Sequence, residues 1–115
     1  MSIKIYHNPR CSKSRETLSL LGEHQIQAEI IEYLATPPSI ETLKTIIAQL
    51  GYDSARQLMR TKEDLYKELG LKDESNEEAL IAAMHQYPKL IERPIVVHGE
   101  KAAVGRPPES VLVLF

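Results

Sequence analysis

The sequence is poor in cysteine and in large aromatic residues: Cys11 is its one cysteine, tryptophan is absent, and 115 residues include a single phenylalanine. One cysteine excludes an internal disulfide, a Cys-x-x-Cys redox pair and an all-cysteine zinc site. The scarcity of large aromatics predicts a core built mainly from Leu, Ile and Val. Because a lone free thiol is typical of reducing compartments, we expect a cytoplasmic protein.

Charge of one sign and long hydrophobic runs are also lacking. Lys and Arg number 14 against 16 Asp and Glu, a formal net charge of −2. This balance excludes a broad basic surface for nucleic acid or an anionic membrane. The N-terminal segment lacks the apolar stretch of a signal peptide and is interrupted by Pro9. No apolar run approaches the roughly 20 residues of a membrane helix. We therefore expect no nucleic-acid partner and no membrane, and an anion must be bound by a local site.

The first third of the chain predicts a strand, a helix and a second strand. Residues 3–6 alternate apolar and polar side chains, which is typical of a strand. Pro9 places a turn next, because it cannot pair within a sheet and biases its predecessor away from helix. Helical spacing follows over residues 12–21, and residues 29–33 resemble a strand.

Residues 39–88 predict a block of helices. Ser39 is a good N-cap, and Gly51 is the natural end of the helix that follows. Residues 54–60 and 61–69 indicate two short helices, with Thr61 capping the second. Ser75 and Glu78 have the spacing of a capping box that opens a last helix, to about residue 87.

The C-terminal part predicts a strand at 94–97, a hairpin turn at 98–100, a returning strand at 101–104 and a short helix at 109–114. The order β-α-β, helical block, β-β-α predicts one α/β domain over residues 1–115 of thioredoxin-like (glutaredoxin-like) plan. Its sheet combines two parallel strands with an antiparallel pair. The helical region, about 39–88, is inserted between the halves.

Cys11 directly precedes the first predicted helix. Helix N-termini present unpaired N–H groups and a partial positive charge, which favour a thiolate, and the thiolate is the nucleophile. The same N–H groups can hold an oxyanion. His7 lies on the same turn, either donating to the sulfur or satisfied by the backbone. Ser12 and Ser14 add hydroxyl and N–H groups beside it.

The spacing around Cys11 excludes one familiar anion site. A Cys-x5-Arg phosphatase loop needs arginine at position 17, where the chain has Thr17. The four histidines lie in unrelated contexts, so no metal site is predicted. Three arginines, Arg60, Arg93 and Arg106, each lie at a boundary between predicted elements. From the sequence they are either ordinary surface residues or anion ligands.

Five segments together resemble the glutaredoxin-coupled arsenate reductase family of the ArsC/Spx superfamily, in the form of its short chromosomal members. The resemblance covers essentially the whole chain. The segments are YHNPRCSKSR at 6–15, YLATPP at 33–38, LMR at 58–60, ERPIVV at 92–97 and GRPPE at 105–109.

The resemblance implies a thioredoxin-like fold with a helical insertion and a set of site residues. Cys11 is the nucleophile that attacks arsenate, assisted by His7 and supported by Ser14. The oxyanion is bound by three arginines, Arg60, Arg93 and Arg106. The place of Ser12 at the start of the helix, rather than the resemblance, makes it a further candidate for oxyanion binding. Pro94 falls at the place of the cis-proline that flanks thioredoxin-like sites.

The resemblance also implies the reaction and its partners. The Cys11 thiolate forms a thiol–arsenate ester, glutathione completes the reduction as co-substrate, and glutaredoxin clears the mixed species. No metal and no tightly bound cofactor are expected. Two alternatives remain open. One is a general glutathione-linked thiol oxidoreductase. The other is an Spx-like regulator that binds RNA polymerase, whose usual second cysteine is replaced by Ser14.

Overall fold

The structure is a computed structural model that describes residues 2–115 and divides the chain into two compact units. One unit combines the residues up to Thr36 with Arg93–Phe115, and the other is Pro37–Glu92. The second unit contains the whole range predicted as a helical insertion. That residues 1–115 form one domain stays a prediction.

The first unit is built on a four-stranded sheet in the order β2-β1-β3-β4. The β1 and β2 strands pair in parallel, whereas β1 with β3 and β3 with β4 pair antiparallel. Two parallel strands and an antiparallel hairpin are what the sequence predicted. The strands are β1 (Ile3–Tyr6), β2 (Glu29–Ile31), β3 (Ile95–His98) and β4 (Lys101–Val104).

One long helix and one short helix complete the first unit. The α1 helix (Ser12–Glu23) connects the two parallel strands, and a 3₁₀ helix (Pro108–Leu114) ends the chain. Their apolar faces share a core cluster with the sheet, centred on Ile5, Leu21, Val96 and Val111. The architecture is α/β and thioredoxin-like, as predicted.

The regular structure of the second unit consists of helices, together with one isolated bridge that pairs Met59 with Ile91. Its helices are α2 (Ile40–Leu50), α3 (Asp64–Glu68) and α4 (Glu77–Gln86), with 3₁₀ helices at Ala55–Leu58, Leu71–Asp73 and Pro88–Leu90. Among residues 2–115, none of the helices combines the length with the apolar character that a membrane span requires.

The limits of α2 confirm two predictions. The Ser39 hydroxyl oxygen accepts the N–H of Thr42 at 3.1 Å and caps the first turn. Gly51 ends the helix in the left-handed region, with φ of 74°, where glycine has no Cβ to clash.

Two predicted caps are wrong. The N–H of Glu63 donates to the Arg60 carbonyl at 3.1 Å, so residues 61–63 form a turn, and α3 begins after Glu63 rather than after Thr61. Asn76 accepts the N–H of Glu78 at 2.9 Å, so Asn76, not Ser75, caps α4. At α3 the preceding turn moves the helix start past Thr61, and at α4 the side chain of Asn76 supplies the cap that Ser75 was expected to supply.

Several predicted boundaries also shift. The second strand ends at Ile31 rather than at residue 33, because the N–H of Ala35 donates to Glu32 O at 3.0 Å and turns the chain. The first helix continues to Glu23, two residues past its predicted end. The predicted helices at 54–60 and 109–114 form as 3₁₀ helices, Ala55–Leu58 and Pro108–Leu114.

Candidate active site

Cys11 is the N-cap of α1, as its position in the sequence predicted. Its backbone is extended, with φ of −94° and ψ of 125°, and its N–H donates to the carbonyl of Asn8 at 3.0 Å. The side chain is a free, half-buried thiol. At the N-cap the sulfur lies beside the first N–H groups of the helix, which have no partner in a preceding turn.

The surroundings of the sulfur favour its ionised form. Burial raises the pKa of the Cys11 thiol, but four interactions lower it: the N–H of Ser14, the charge of Arg93, the N–H of Lys13 and the hydroxyl of Ser14. The net pKa lies below that of an ordinary cysteine. A larger thiolate fraction at neutral pH makes the sulfur a better nucleophile.

Arg106 also reaches the sulfur. Its Nη2 lies 3.6 Å from Cys11 Sγ, and its Nε donates to the carbonyl oxygen of Arg93 at 2.9 Å. A guanidinium at this distance supplies a charge-assisted hydrogen bond to a thiolate. The peptide bond between Arg93 and Pro94 is cis, as is that between Arg106 and Pro107. Arg106 therefore contacts the sulfur, and Arg93 acts on it through its charge.

Ser14 connects the sulfur to the preceding loop. Its side chain is fully buried, and its hydroxyl oxygen accepts the N–H of Asn8 at 3.3 Å while the same group supports Cys11. Ser12, the first residue of α1, is exposed. Ser14 thus lies beside the sulfur, and its catalytic support of Cys11 stays a prediction, as does anion binding by Ser12.

His7 is buried, with 6% of its surface exposed, at the end of β1. Its backbone N–H donates to the Ile31 carbonyl at 2.8 Å, and its Nδ1 has no hydrogen-bond partner among residues 2–115. Burial lowers the pKa of His7 and Arg15 lowers it further, while the carboxylate of Glu32 opposes both. The neutral ring is therefore favoured, and the assisting role of His7 stays a prediction.

The basic residues beside Cys11 are engaged locally. Lys13 pairs with Glu16 at 3.4 Å, and Arg15 donates from Nη1 to the carbonyl of Pro9 at 3.0 Å. The first pair lies on the exposed side of α1, where such ion pairs contribute little to stability. Both contacts hold cations in the first turns of a helix whose dipole disfavours them.

Arg60 belongs to the second unit. Its guanidinium pairs with Glu63 at 3.2 Å, and its backbone N–H donates to the Leu90 carbonyl at 2.8 Å. Glu63 also lies 3.8 Å from Lys89 Nζ, so one carboxylate faces two cations. The oxyanion contact predicted for Arg60 stays a prediction.

The geometry of the first unit defines a class of protein: a thioredoxin-like protein with a cysteine at a helix N-terminus, where backbone N–H groups and the charge of Arg93 lower the thiol pKa. The sequence pattern of the ArsC family matches residues 6–114. The chain therefore belongs to the ArsC family.

Relatives with known names support this membership. An arsenate reductase of Neisseria meningitidis is 56% identical over 110 residues, covering 95% of this chain and 94% of that protein. The uncharacterized protein YfgD of Escherichia coli K12 is 62% identical over 111 residues, covering 96% and 93%. The solved structure of an arsenate reductase from Vibrio cholerae superposes with a TM-score of 0.97 at 56% identity, covering 100% and 98%.

Proposed function

We propose that this protein is an oxidoreductase that reduces arsenate to arsenite, with glutathione as co-substrate and glutaredoxin as partner. One observation carries the proposal: the Cys11 sulfur has a lowered pKa and an arginine Nη2 at 3.6 Å. A thiolate beside a guanidinium suits attack on an anion, because the cation offsets the repulsion between two negative groups. The names of relatives called arsenate reductase support arsenate as the substrate.

In the first step the Cys11 thiolate forms an S–As bond and one As–O bond breaks, its oxygen leaving as water after taking up two protons. Arsenic stays in the +5 state. The Arg106 and Arg93 guanidinium groups hold the remaining oxygens, and the N–H groups of the first turn of α1 add donors for the charge that develops there.

Reduction then takes two electrons from two thiols. The glutathione thiolate attacks the Cys11 sulfur, the S–As bond breaks, and its electron pair leaves with arsenic as arsenite. Cys11 and glutathione are left joined as a mixed disulfide. The one cysteine of the chain makes an external thiol necessary. Glutaredoxin removes the glutathione by thiol–disulfide exchange and restores the Cys11 thiolate.

Arg60 is proposed as the third oxyanion ligand. Arsenate near neutral pH carries between one and two negative charges, as phosphate does, and forked guanidinium groups match its tetrahedral oxygens. Substitution of Arg60 by Lys keeps the charge but loses the fork, so the KM for arsenate should rise more than retained charge alone suggests. Unchanged KM and kcat in Arg60→Lys would leave Arg60 as a surface residue.

The direct test is arsenate-dependent NADPH oxidation with glutathione, glutaredoxin and glutathione reductase supplied. The wild type and Ser19→Ala, a control on the exposed side of α1, should turn over at similar rates. Cys11→Ser should fall to background while retaining its fold. A Cys11→Ser variant with the wild-type rate contradicts the mechanism. A folded wild type inactive with arsenate, but active on a small glutathione mixed disulfide, indicates the general thiol oxidoreductase instead.

A further inference from the structure

Gly105 packs closely against α1 at the residue before Arg106. It is buried, and its N–H donates to the Pro94 carbonyl at 2.9 Å. A Cβ at this position would overlap Thr17 Oγ1 and lie 2.9 Å from Pro94 Cγ and 3.2 Å from Thr17 Cγ2. Glycine is therefore required by the close approach of the chain to the helix, not by its backbone angles.

Thr17 forms the other side of this contact. Its side chain is fully buried, and its Oγ1 has no hydrogen-bond partner within residues 2–115. Packing against Gly105, rather than hydrogen bonding, accounts for its burial. Thr17 is on the helix that has Cys11 as its N-cap, and Gly105 precedes the arginine that reaches the Cys11 sulfur.

We propose that the contact between Thr17 and Gly105 is a positioning contact, which holds the Arg106 guanidinium at the Cys11 sulfur by fixing the spacing between α1 and the end of β4. A phosphatase-type loop would place its own arginine at position 17. In this chain the small buried side chain of Thr17 leaves room for Gly105 to approach α1. The arginine at the sulfur is then Arg106, the residue after Gly105. Thr17 and Gly105 act through Arg106 and touch no reacting atom.

The inference deepens the proposed function but is measured without arsenate. The readout is the rate of Cys11 alkylation by iodoacetamide as a function of pH, which reports the thiol pKa through the thiolate fraction. Since Cys11 is the one cysteine of the chain, the signal has a single source. A protein that fails the arsenate assay can still pass this test, and the reverse also holds.

Gly105→Ala should raise the Cys11 pKa and slow alkylation below that pKa by about threefold to tenfold. The matched control is Gly22→Ala, because Gly22 lies on α1 with open space around it and should keep the wild-type profile. A folded Gly105→Ala variant with the wild-type pH profile overturns the proposal.

Substitutions that shift side-chain volume between Thr17 and Gly105 distinguish a positioning effect on Arg106 from a general loss of structure. Thr17→Ala should slow alkylation by about twofold to threefold, because the contact loosens. In Thr17→Ala with Gly105→Ala, the new Cβ takes the space that the lost Thr17 hydroxyl occupied, and the profile should return toward wild type. Thr17→Val keeps the shape and should behave as wild type. If Gly105→Ala alone fails to fold, Thr17→Ala decides: an unchanged profile contradicts the proposal.

Whether the effect of Gly105→Ala on the Cys11 pKa acts through Arg106 is tested in a variant that lacks this arginine. In an Arg106→Ala background, adding Gly105→Ala should change the alkylation profile no further, because the guanidinium through which the contact acts is gone. A second shift of the same size in that background would show that Gly105 acts by another route. Circular dichroism and the thermal midpoint of each variant establish that the compared proteins are folded.

Discussion

Arg106 donates from Nε to the backbone carbonyl oxygen of Arg93 at 2.9 Å. The same guanidinium has its Nη2 3.6 Å from Cys11 Sγ, so one planar group contacts both a backbone acceptor and the sulfur. The hydrogen bond to the Arg93 carbonyl orients the guanidinium, and this orientation directs Nη2 toward the sulfur. This relation makes the site depend on the shape of the arginine as well as on its charge.

Replacing Arg106 by Lys should therefore raise the Cys11 pKa nearly as much as replacing it by Ala. A lysine ammonium keeps the charge but cannot present two donors in one fixed plane. The check is the pH dependence of iodoacetamide alkylation for both variants beside wild type. A wild-type profile in Arg106→Lys would show that charge alone is sufficient.

The lowered pKa of Cys11 also predicts how stability depends on pH. An acid whose pKa is depressed on folding stabilises the native state above its ordinary pKa, about 8.5 for a thiol, and loses that contribution as pH falls through the folded value. The free energy of unfolding of wild type relative to Cys11→Ser should therefore rise with pH across that interval. Urea unfolding under reducing conditions measures it. A difference that is constant with pH contradicts a depressed pKa.

His7 should titrate below the ordinary histidine value of about 6.5. Because burial lowers its pKa, the unfolded chain binds the proton more readily than the native one. The native state should lose stability as pH falls through the ordinary value toward the folded one, and His7→Gln should lose less. The ring chemical shifts of His7 followed against pH give the pKa directly. A pKa above the ordinary value would mean that Glu32 outweighs burial.

Glu77 should stabilise the second unit through two hydrogen bonds. Its carboxylate accepts the N–H of Ala55 at 2.7 Å and the hydroxyl of Ser54 at 2.8 Å, and these bonds lower the pKa of Glu77 in that order. We expect Glu77→Ala to reduce the free energy of unfolding by about 1 kcal/mol, given its exposure to solvent.

The matched control for Glu77 is Glu78→Ala. Glu78 shares the first turn of α4 and has one exposed ion pair, with Lys44 at 3.0 Å. Its loss should cost a few tenths of a kcal/mol at most. Equal effects of the two substitutions in denaturant unfolding would attribute the Glu77 effect to the helix dipole alone.

The alternation and turn chemistry of the sequence predicted the element order correctly, because such signals are local. The Ser39 cap and the Gly51 stop depend on residues within one turn of the helix end. The prediction at Ser75 failed because its neighbour Asn76 is an equally good N-cap, and the hydrogen bond that Asn76 makes decided between them. The prediction at Thr61 failed because residues 61–63 form a turn, and α3 then begins with no side-chain cap.

By itself the sequence determined the order of strands and helices along the chain, the helical character of residues 39–88 and the place of Cys11 where α1 begins, since each follows from periodicity or neighbouring residues. Only the tertiary structure decided that Arg106 reaches the sulfur and that Gly105 meets Thr17. These residues are far apart along the chain, and the contacts arise when the β3–β4 hairpin pairs with β1 beside α1. No local pattern encodes a distance between such segments, because packing sets it.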